Sequence, residues 1–314
     1  MIINYLNTEF ILEAEEEIIL PNFKGAAFRG LFGNVLRRII CALKKSSCDE
    51  CPLRSACVYS YIFETYPTKE PPILNREKYI KIPHPYIIEP PLEEKRLYKS
   101  GESIIFNVIL IGRATEYLPY FIYTFSECGK IGIGRERGKF ILKRIMVDEE
   151  EVYNSETKRI KKLNDKHIEI KENNYNKDYE CTKNLKLKIL TPVRIKHERK
   201  YINDLSFYVL IKSLLFRLSF LHYYHCNGED TKFDHREVLA KAQEIKIKSQ
   251  NLRWWDWERY SSRQKTRMRL GGIMGEVEYY GELGSFLPIL KAGEIIHVGK
   301  NTSFGLGKYK IIIE

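Results

Sequence analysis

Four cysteines fall close together as Cys41, Cys48, Cys51 and Cys57, with the spacing Cys-x6-Cys-x2-Cys-x5-Cys. Four thiolates can close a tetrahedral shell around zinc, and a shell without an open position is structural. The same spacing, with Pro52 directly after a cysteine, also suits an iron–sulfur cluster, so zinc is the expected metal and iron–sulfur the alternative. The plainer reading leaves Cys41 as an ordinary buried residue of an apolar helix. A second run able to do chemistry is RWWDWERYSSRQKTRMR, Arg253 to Arg269, which holds all three tryptophans and Tyr260 among six basic and two acidic residues. Rings interleaved with arginines offer stacking faces and phosphate ligands together, as single-stranded nucleic acid requires. Tryptophans that simply anchor a core are the competing account.

Two glycine loops, GKIGIGRERGK and GKNTSFGLGK, carry Arg135, Arg137 and Lys139 in the first and Lys300 and Lys308 in the second. Small residues let backbone N–H groups approach an anion while the cations supply charge; a plain β-turn explains the glycines as well. Neither loop is a nucleotide fingerprint, because FILKRIMV after the first reads as a strand and no Gly-Lys-Ser/Thr occurs. His297, expected on a strand, precedes Gly299 and Lys300, which would set an imidazole beside a phosphate held by that loop. His222 and His225 end a helix, where capping is the expected role, and His84 stands between Pro83 and Pro85 with no legible partner.

These groups need elements to hold them. Of the 314 residues, 44% are hydrophobic, which excludes a disordered or fibrous chain and suits two domains of ordinary size. Lys and Arg total 52 against 41 acids, a net +11 that favours polyanionic partners. The opening MIINYLNTEFILEAEEE carries acids where a signal peptide carries bases, and no apolar run is long enough for a membrane span. A cytoplasmic protein without membrane attachment is the expectation, and clustered cysteines in an odd total of seven fit a reducing compartment.

Helical spacing of Phe28, Phe32, Val35, Leu36 and Ile39 predicts an amphipathic helix after Pro21. The proline-rich stretch Tyr66 to Leu92 reads as an extended crossing segment without regular structure. A strand, a helix and another strand follow at Glu102–Arg113, Glu116–Cys128 and Phe140–Val147, and the polar run Asp148–Lys183 is a linker or a solvent-facing hairpin. A further strand and two helices are expected at Leu185–Ile195, Leu205–Leu221 and Arg236–Lys248. Gly112, Leu118 and Pro119 are echoed by Gly281, Leu287 and Pro288, and each copy leads to a Gly-x-Gly loop and a last strand. The echo predicts an α+β fold of two tandem ferredoxin-like domains, 1–180 with a cysteine-rich metal-binding insert at 41–57, and 184–314 ending in a glycine-rich loop.

FKGAAFRGLFGNVLR, CDECPLRSACVYSYIFE, RYSSRQ with LGGIMGEVEYYG, and HVGKNTSFGLGKY together resemble the CRISPR-associated repeat-processing endoribonucleases of the RAMP superfamily, in the branch with a cysteine-rich insert. The resemblance implies RRM-related domains with a basic cleft for CRISPR repeat RNA, in a system of antiviral defence. It implies one cut per repeat, with no catalytic metal, by attack of the 2′-OH on the neighbouring phosphate, leaving a 2′,3′-cyclic phosphate and a 5′-OH. Many members place a catalytic histidine on or just after the first helix, and this chain has none between Gly25 and Lys45. Acid–base catalysis is therefore expected from His297, with Lys300 and Arg263 on the phosphate and Tyr260 positioning the ribose. RNA contacts are expected from Arg29, Arg37, Arg38, Arg135, Arg137, Lys139, Arg253, Trp254, Arg259, Arg267, Arg269 and Lys308. The expected partners are repeat RNA, its mature crRNA product and subunits of a CRISPR effector complex. A non-catalytic RNA-binding subunit of such a complex is the alternative, and a metal-dependent nuclease ranks last.

Overall fold

The computed structural model describes residues 1–44, 47–67, 81–161, 163–170, 182–226, 228, 233, 235–261 and 266–313, and within 258–261 and 266–269 the backbone only. The chain divides into two compact units. One comprises Asn4–His167 with Tyr223–Asn227; the other comprises Ile168–His222 and Gly228–Glu314 with Met1–Ile3.

In the first unit the order is β1 (Ile2–Ala14), α1 (Gly25–Ile40), β2 (Tyr86–Glu89), β3 (Ser103–Ile111), α2 (Leu118–Ile131), β4 (Phe140–Val147) and β5 (Glu150–Asn154). The antiparallel sheet runs β2-β3-β1-β4-β5. Inserting β3 between β1 and β2 makes the split βαβ arrangement that the echo predicts. Alternating residues of β1 from Leu6 to Ala14 are buried, while β3 is buried at every residue from Val108 to Ile111, and Phe28 and Phe32 of α1 join Phe10, Phe106, Phe121 and Phe125 in one aromatic core. Strand β2 departs from expectation: YIIE between prolines is a wholly buried strand inside the stretch read as irregular. It is an edge strand, where flanking prolines cost no ladder bond.

The second unit repeats the plan with β6 (Asn184–Val193), α3 (Phe207–His225), α4 (His235–Glu244), β7 (Lys246–Trp255), β8 (Glu258–Ser261), β9 (Thr266–Arg269), β10 (Gly272–Tyr280), α5 (Leu287–Ile296) and β11 (Tyr309–Ile313). Its sheet order is β7-β10-β6-β11, the same permutation. Phe207 packs edge-on against Tyr279 and Phe286, each at 5.0 Å. Strands β8 and β9 form a separate ribbon between β7 and β10, so the tryptophan-rich run is a β-hairpin. Helices α2 and α5, the two copies of the echo, both carry proline in their first turn, where its missing N–H costs nothing.

Glycines have opposite value in different places. At Gly307, φ is +80° and an added Cβ would collide with the Val298 carbonyl, whereas Gly30 inside α1 has nothing within 4 Å. Gly307→Ala is expected to lose about 1–3 kcal/mol of stability and Gly30→Ala to gain about 0.5–1 kcal/mol, measured by denaturant unfolding.

Candidate functional site

The second glycine loop is a buried plug. Thr302 to Gly307 are all buried, and its N–H groups are turned inward: Lys300 to the Arg194 carbonyl, Gly305 to Thr302, and Gly307 to Pro192. The Thr191 hydroxyl donates to the Gly305 carbonyl at 2.7 Å and accepts from the Lys308 N–H at 2.8 Å. Those amides are already paired, so the glycines here serve close packing and the anion cradle of the sequence reading is not built from them. Exposed Lys300 and half-buried Lys308 remain at the rim.

His297 is not on a strand. It follows the last turn of α5 at φ 61°, ψ 170°, a region almost confined to glycine. Its side chain is 0% exposed, and Nδ1 lies 3.0 Å from the Leu306 carbonyl. A nitrogen facing a carbonyl carries the proton, so this imidazole fastens the loop. Beneath it, buried Arg217 donates from Nε to the Ile296 carbonyl at 2.8 Å, closing the helix end; burial lowers its pKa to about 9. The expected acid–base role of His297 thus meets a sealed ring.

At the base of the hairpin the aromatic expectation finds a surface. Trp254 is 40% exposed and its ring lies 6.3 Å from Tyr201. The Arg194 guanidinium covers the other aromatic at 4.0 Å, with the Lys196 ammonium at 4.9 Å. Arg194 also donates to the Gly271 carbonyl at 2.8 Å, which fixes the cation against the ring. Arg253, the residue before Trp254 on β7, is exposed. Sequence reasoning missed Arg194, Lys196 and Tyr201; the short basic run RIKHERKY was their only trace. The register sets Tyr260 opposite Arg267, Arg259 opposite Met268 and Arg269 opposite Glu258. Arg263 lies outside the described residues.

In the first unit the cations divide. Arg38, Arg135, Arg137 and Lys139 are exposed, with Lys139 paired to Glu16 at 3.4 Å and Arg135 to Glu136 at 3.6 Å; Arg37 lies 6.0 Å over the Tyr59 ring. Arg29 turns inward. Its guanidinium packs 4.3 Å over Phe63 and meets His84 Nε2 at 3.2 Å. His84 Nδ1 lies 2.5 Å from the Thr65 hydroxyl. Next to it, buried His225 bonds the Pro83 carbonyl through Nε2 at 2.9 Å and the Tyr61 hydroxyl through Nδ1 at 3.2 Å. His222 bonds the Ile2 carbonyl, so both α3 histidines bind carbonyls of distant segments where capping was expected. Exposed Arg113 lies 4.8 Å over the Tyr61 ring, a further cation that no motif marks.

The cysteine segment follows α1, whose last residue is Ile40, so Cys41 stands just beyond the helix. Cys48 and Cys57 pack against the aromatic core. Cys41 and Cys57 lie within electrostatic reach of Cys48, whose thiol is pushed up by burial and then by Glu64. Among the described residues, no three His, Cys, Asp or Glu side chains converge as a metal site.

Residues 187–309 match the family of the CRISPR-associated endoribonuclease Cas6. Residues 3–165, more than half the chain, match the AF_1859_N N-terminal domain. An uncharacterized protein of Archaeoglobus fulgidus is 25% identical over 300 residues, covering 93% of this chain and 92% of that one. The fold is similar to Thermus thermophilus Cas6, with TM-score 0.53 and 14% identity over 99% of each chain. It is also similar to a Cas6 product complex, with TM-score 0.56 and 14% identity over 98% of this chain and 99% of the other. A partial Cas6-RT-Cas1--Cas2 complex aligns with TM-score 0.59 and 16% identity over 99% of this chain, which spans only 46% of that one.

The sealed position of His297 has a measurable consequence. His297→Ala removes a buried hydrogen bond and packing from the loop, and thermal or denaturant unfolding is expected to show a loss of about 1–3 kcal/mol.

Proposed function

We propose that this chain, whose residues 187–309 match the Cas6 family model, is a Cas6-type endoribonuclease that cleaves CRISPR repeat RNA into crRNA. The observation that carries this reading is the Cas6 match over residues 187–309, the part that holds the terminal glycine loop, the arginine–aromatic stack and the hairpin. In the proposed reaction the ribose 2′-oxygen attacks the adjacent phosphorus and the 5′-oxygen leaves, giving a 2′,3′-cyclic phosphate and a 5′-OH without a catalytic metal. Such chemistry needs a proton acceptor, a proton donor and cations over the phosphorane. Lys300, Arg263 and Tyr260 remain the proposed phosphate and ribose contacts in this unit. Trp254 offers an exposed face for an unpaired base, a contact worth about 1–3 kcal/mol, and Arg194, Lys196 and Arg253 add charge around it. Repeat RNA and subunits of a CRISPR effector complex are the proposed partners.

The burial of His297 favours one alternative, a subunit that binds the RNA without cutting it. A labelled repeat RNA in EDTA decides between them. Cleavage of the all-ribose strand, together with survival of a strand bearing one 2′-deoxy nucleotide at the cut, is the expected result; tight binding with no cutting selects the alternative.

For the cysteine segment we propose structural zinc held by Cys41, Cys48, Cys51 and Cys57, supported by their spacing. Metal analysis is expected to find about one zinc per chain, lost in Cys48→Ser/Cys51→Ser together with a lower melting temperature. A brown protein containing iron and sulfide would establish the cluster instead.

A further inference from the structure

The short ribbon that follows β6 is strained at its tip and exposes cations there. Its strands, Lys196–His197 and Lys200–Tyr201, pair Lys196 with Tyr201 and His197 with Lys200, so the connecting turn is Glu198 and Arg199 alone. Both have positive φ, 48° and 67°, as a two-residue hairpin turn demands and as Asn-Gly normally supplies. Side chains with a Cβ resist that conformation, and strain of this kind gathers where the side chains have a use. Lys196, Arg199 and Lys200 are exposed, and among the described residues no carboxylate pairs with them; Glu198 lies 3.9 Å from His197 instead.

The base of the ribbon is fixed. The Ile202 N–H donates to the Ile195 carbonyl at 3.2 Å, and the Lys300 N–H to the Arg194 carbonyl at 2.8 Å. Gly271 holds the two groups that flank Tyr201: its carbonyl accepts from Arg194, and a Cβ on it would lie 2.5 Å from the indole nitrogen of Trp254, so only glycine lets the indole rest there. The Arg194 guanidinium covers Tyr201 at 4.0 Å. The rings of Tyr201 and Trp254 are tilted by 53°, and exposed Trp254 is the one left open to a ligand.

From this geometry we propose that the ribbon and Trp254 form a site for one unpaired nucleotide of the RNA: its base stacks on the indole beside Tyr201, and Lys196, Arg199 and Lys200 take the phosphates on either side. Arg194 and Gly271 are positioning residues. The inference rests on the RNA-binding part of the reading above and deepens it, by naming what the substrate presents here. A base inside a helix is stacked on its neighbours and has no free face for an indole, whereas a single strand offers a π-face and flanking charge together.

The test is a binding series on labelled repeat RNA whose nucleotides are replaced one at a time by abasic residues, with cleavage followed in parallel. In wild type, one position is expected to lose affinity by about 5- to 150-fold. In Trp254→Ala that position is expected to lose nothing further, the sign of a direct pair, and Gly271→Ala is expected to blunt the same position. Lys196→Ala, Arg199→Gly and Lys200→Ala are each expected to reduce the slope of log affinity against log salt by about 0.7, while Trp254→Ala leaves it unchanged. Arg199→Gly also relieves the turn, so its weaker binding is expected with an equal or higher melting temperature, which a merely structural arginine would not give. A scan in which no position couples to Trp254, or cation variants with the wild-type salt slope, overturns the inference whether or not the RNA is cut. Coupling at one position without cleavage upholds the site and overturns the endoribonuclease reading; a wild-type protein that does not bind repeat RNA overturns both.

Discussion

The arrangement of the first unit depends on one ammonium group taken out of water. Lys24, at the entry to α1, is 1% exposed, and its Nζ donates to the Glu93 carbonyl at 2.5 Å and the Pro91 carbonyl at 3.5 Å. A buried charge survives only with such partners, and burial lowers its pKa against the opposing pull of Glu93. The proline segment must therefore pass over the start of α1 for Lys24 to be in place. Prolines offer carbonyls without N–H groups, so that segment needs donors from elsewhere. The Ile111 N–H serves Pro85 and the His225 ring serves Pro83. Three donors from separate parts of the chain thus hold the backbone on which His84 and β2 sit.

Much of this plan was legible in the sequence because periodicity and punctuation are local signals. The strand Phe140–Val147 matches to the residue, and the Gly…Leu-Pro echo marks two units with one strand permutation. What escaped was non-local. Strand β2 hides among prolines because an edge strand tolerates them. His297 looks like a strand residue beside a phosphate loop, yet a helix ends immediately before it and the loop folds inward. Arg29, Thr65 and His84 come from three elements, separated by 55 and 19 residues where they bond, and no spacing rule joins them. The same holds for Arg194, Tyr201 and Trp254.

The two halves of the echo also show how one local design diverges. In the first copy the glycine loop exposes Arg135 and Arg137, while Gly134 and Gly138 let it press against the Ile19 and Glu17 carbonyls. In the second copy the corresponding loop is swallowed, with Thr302, Ser303, Phe304 and Leu306 at most 5% exposed. Glycine does the same conformational work in both. The side chains between the glycines decide whether the result is a cationic tip or a plug, because arginine cannot be buried unpaired and phenylalanine and leucine are driven inside.

Where the surplus charge lies follows from pairing. On the sheet of the second unit, Lys186 pairs with Glu276 at 3.7 Å and Lys248 with Glu278 at 2.6 Å, and Lys248 holds the Glu278 carboxyl below its usual range. An RRM-type reader stacks bases on aromatic rings of that face; here a strand laid across it meets carboxylates. In the first unit Lys143 and Lys161 are likewise matched by Glu13 and Glu150. With these four lysines matched, the excess of the net +11 lies on other residues, among them exposed Arg38 of α1 and Arg137 of the first glycine loop. Paired exposed charges gain little when a phosphate displaces their partner, since the pair must first be broken, whereas a cation lying over an aromatic ring keeps its attraction for the anion. Arg29 over Phe63 and Arg194 over Tyr201 both lie over an aromatic ring, one in each ferredoxin-like unit, so each keeps a cation–π contact that an approaching anion does not have to displace.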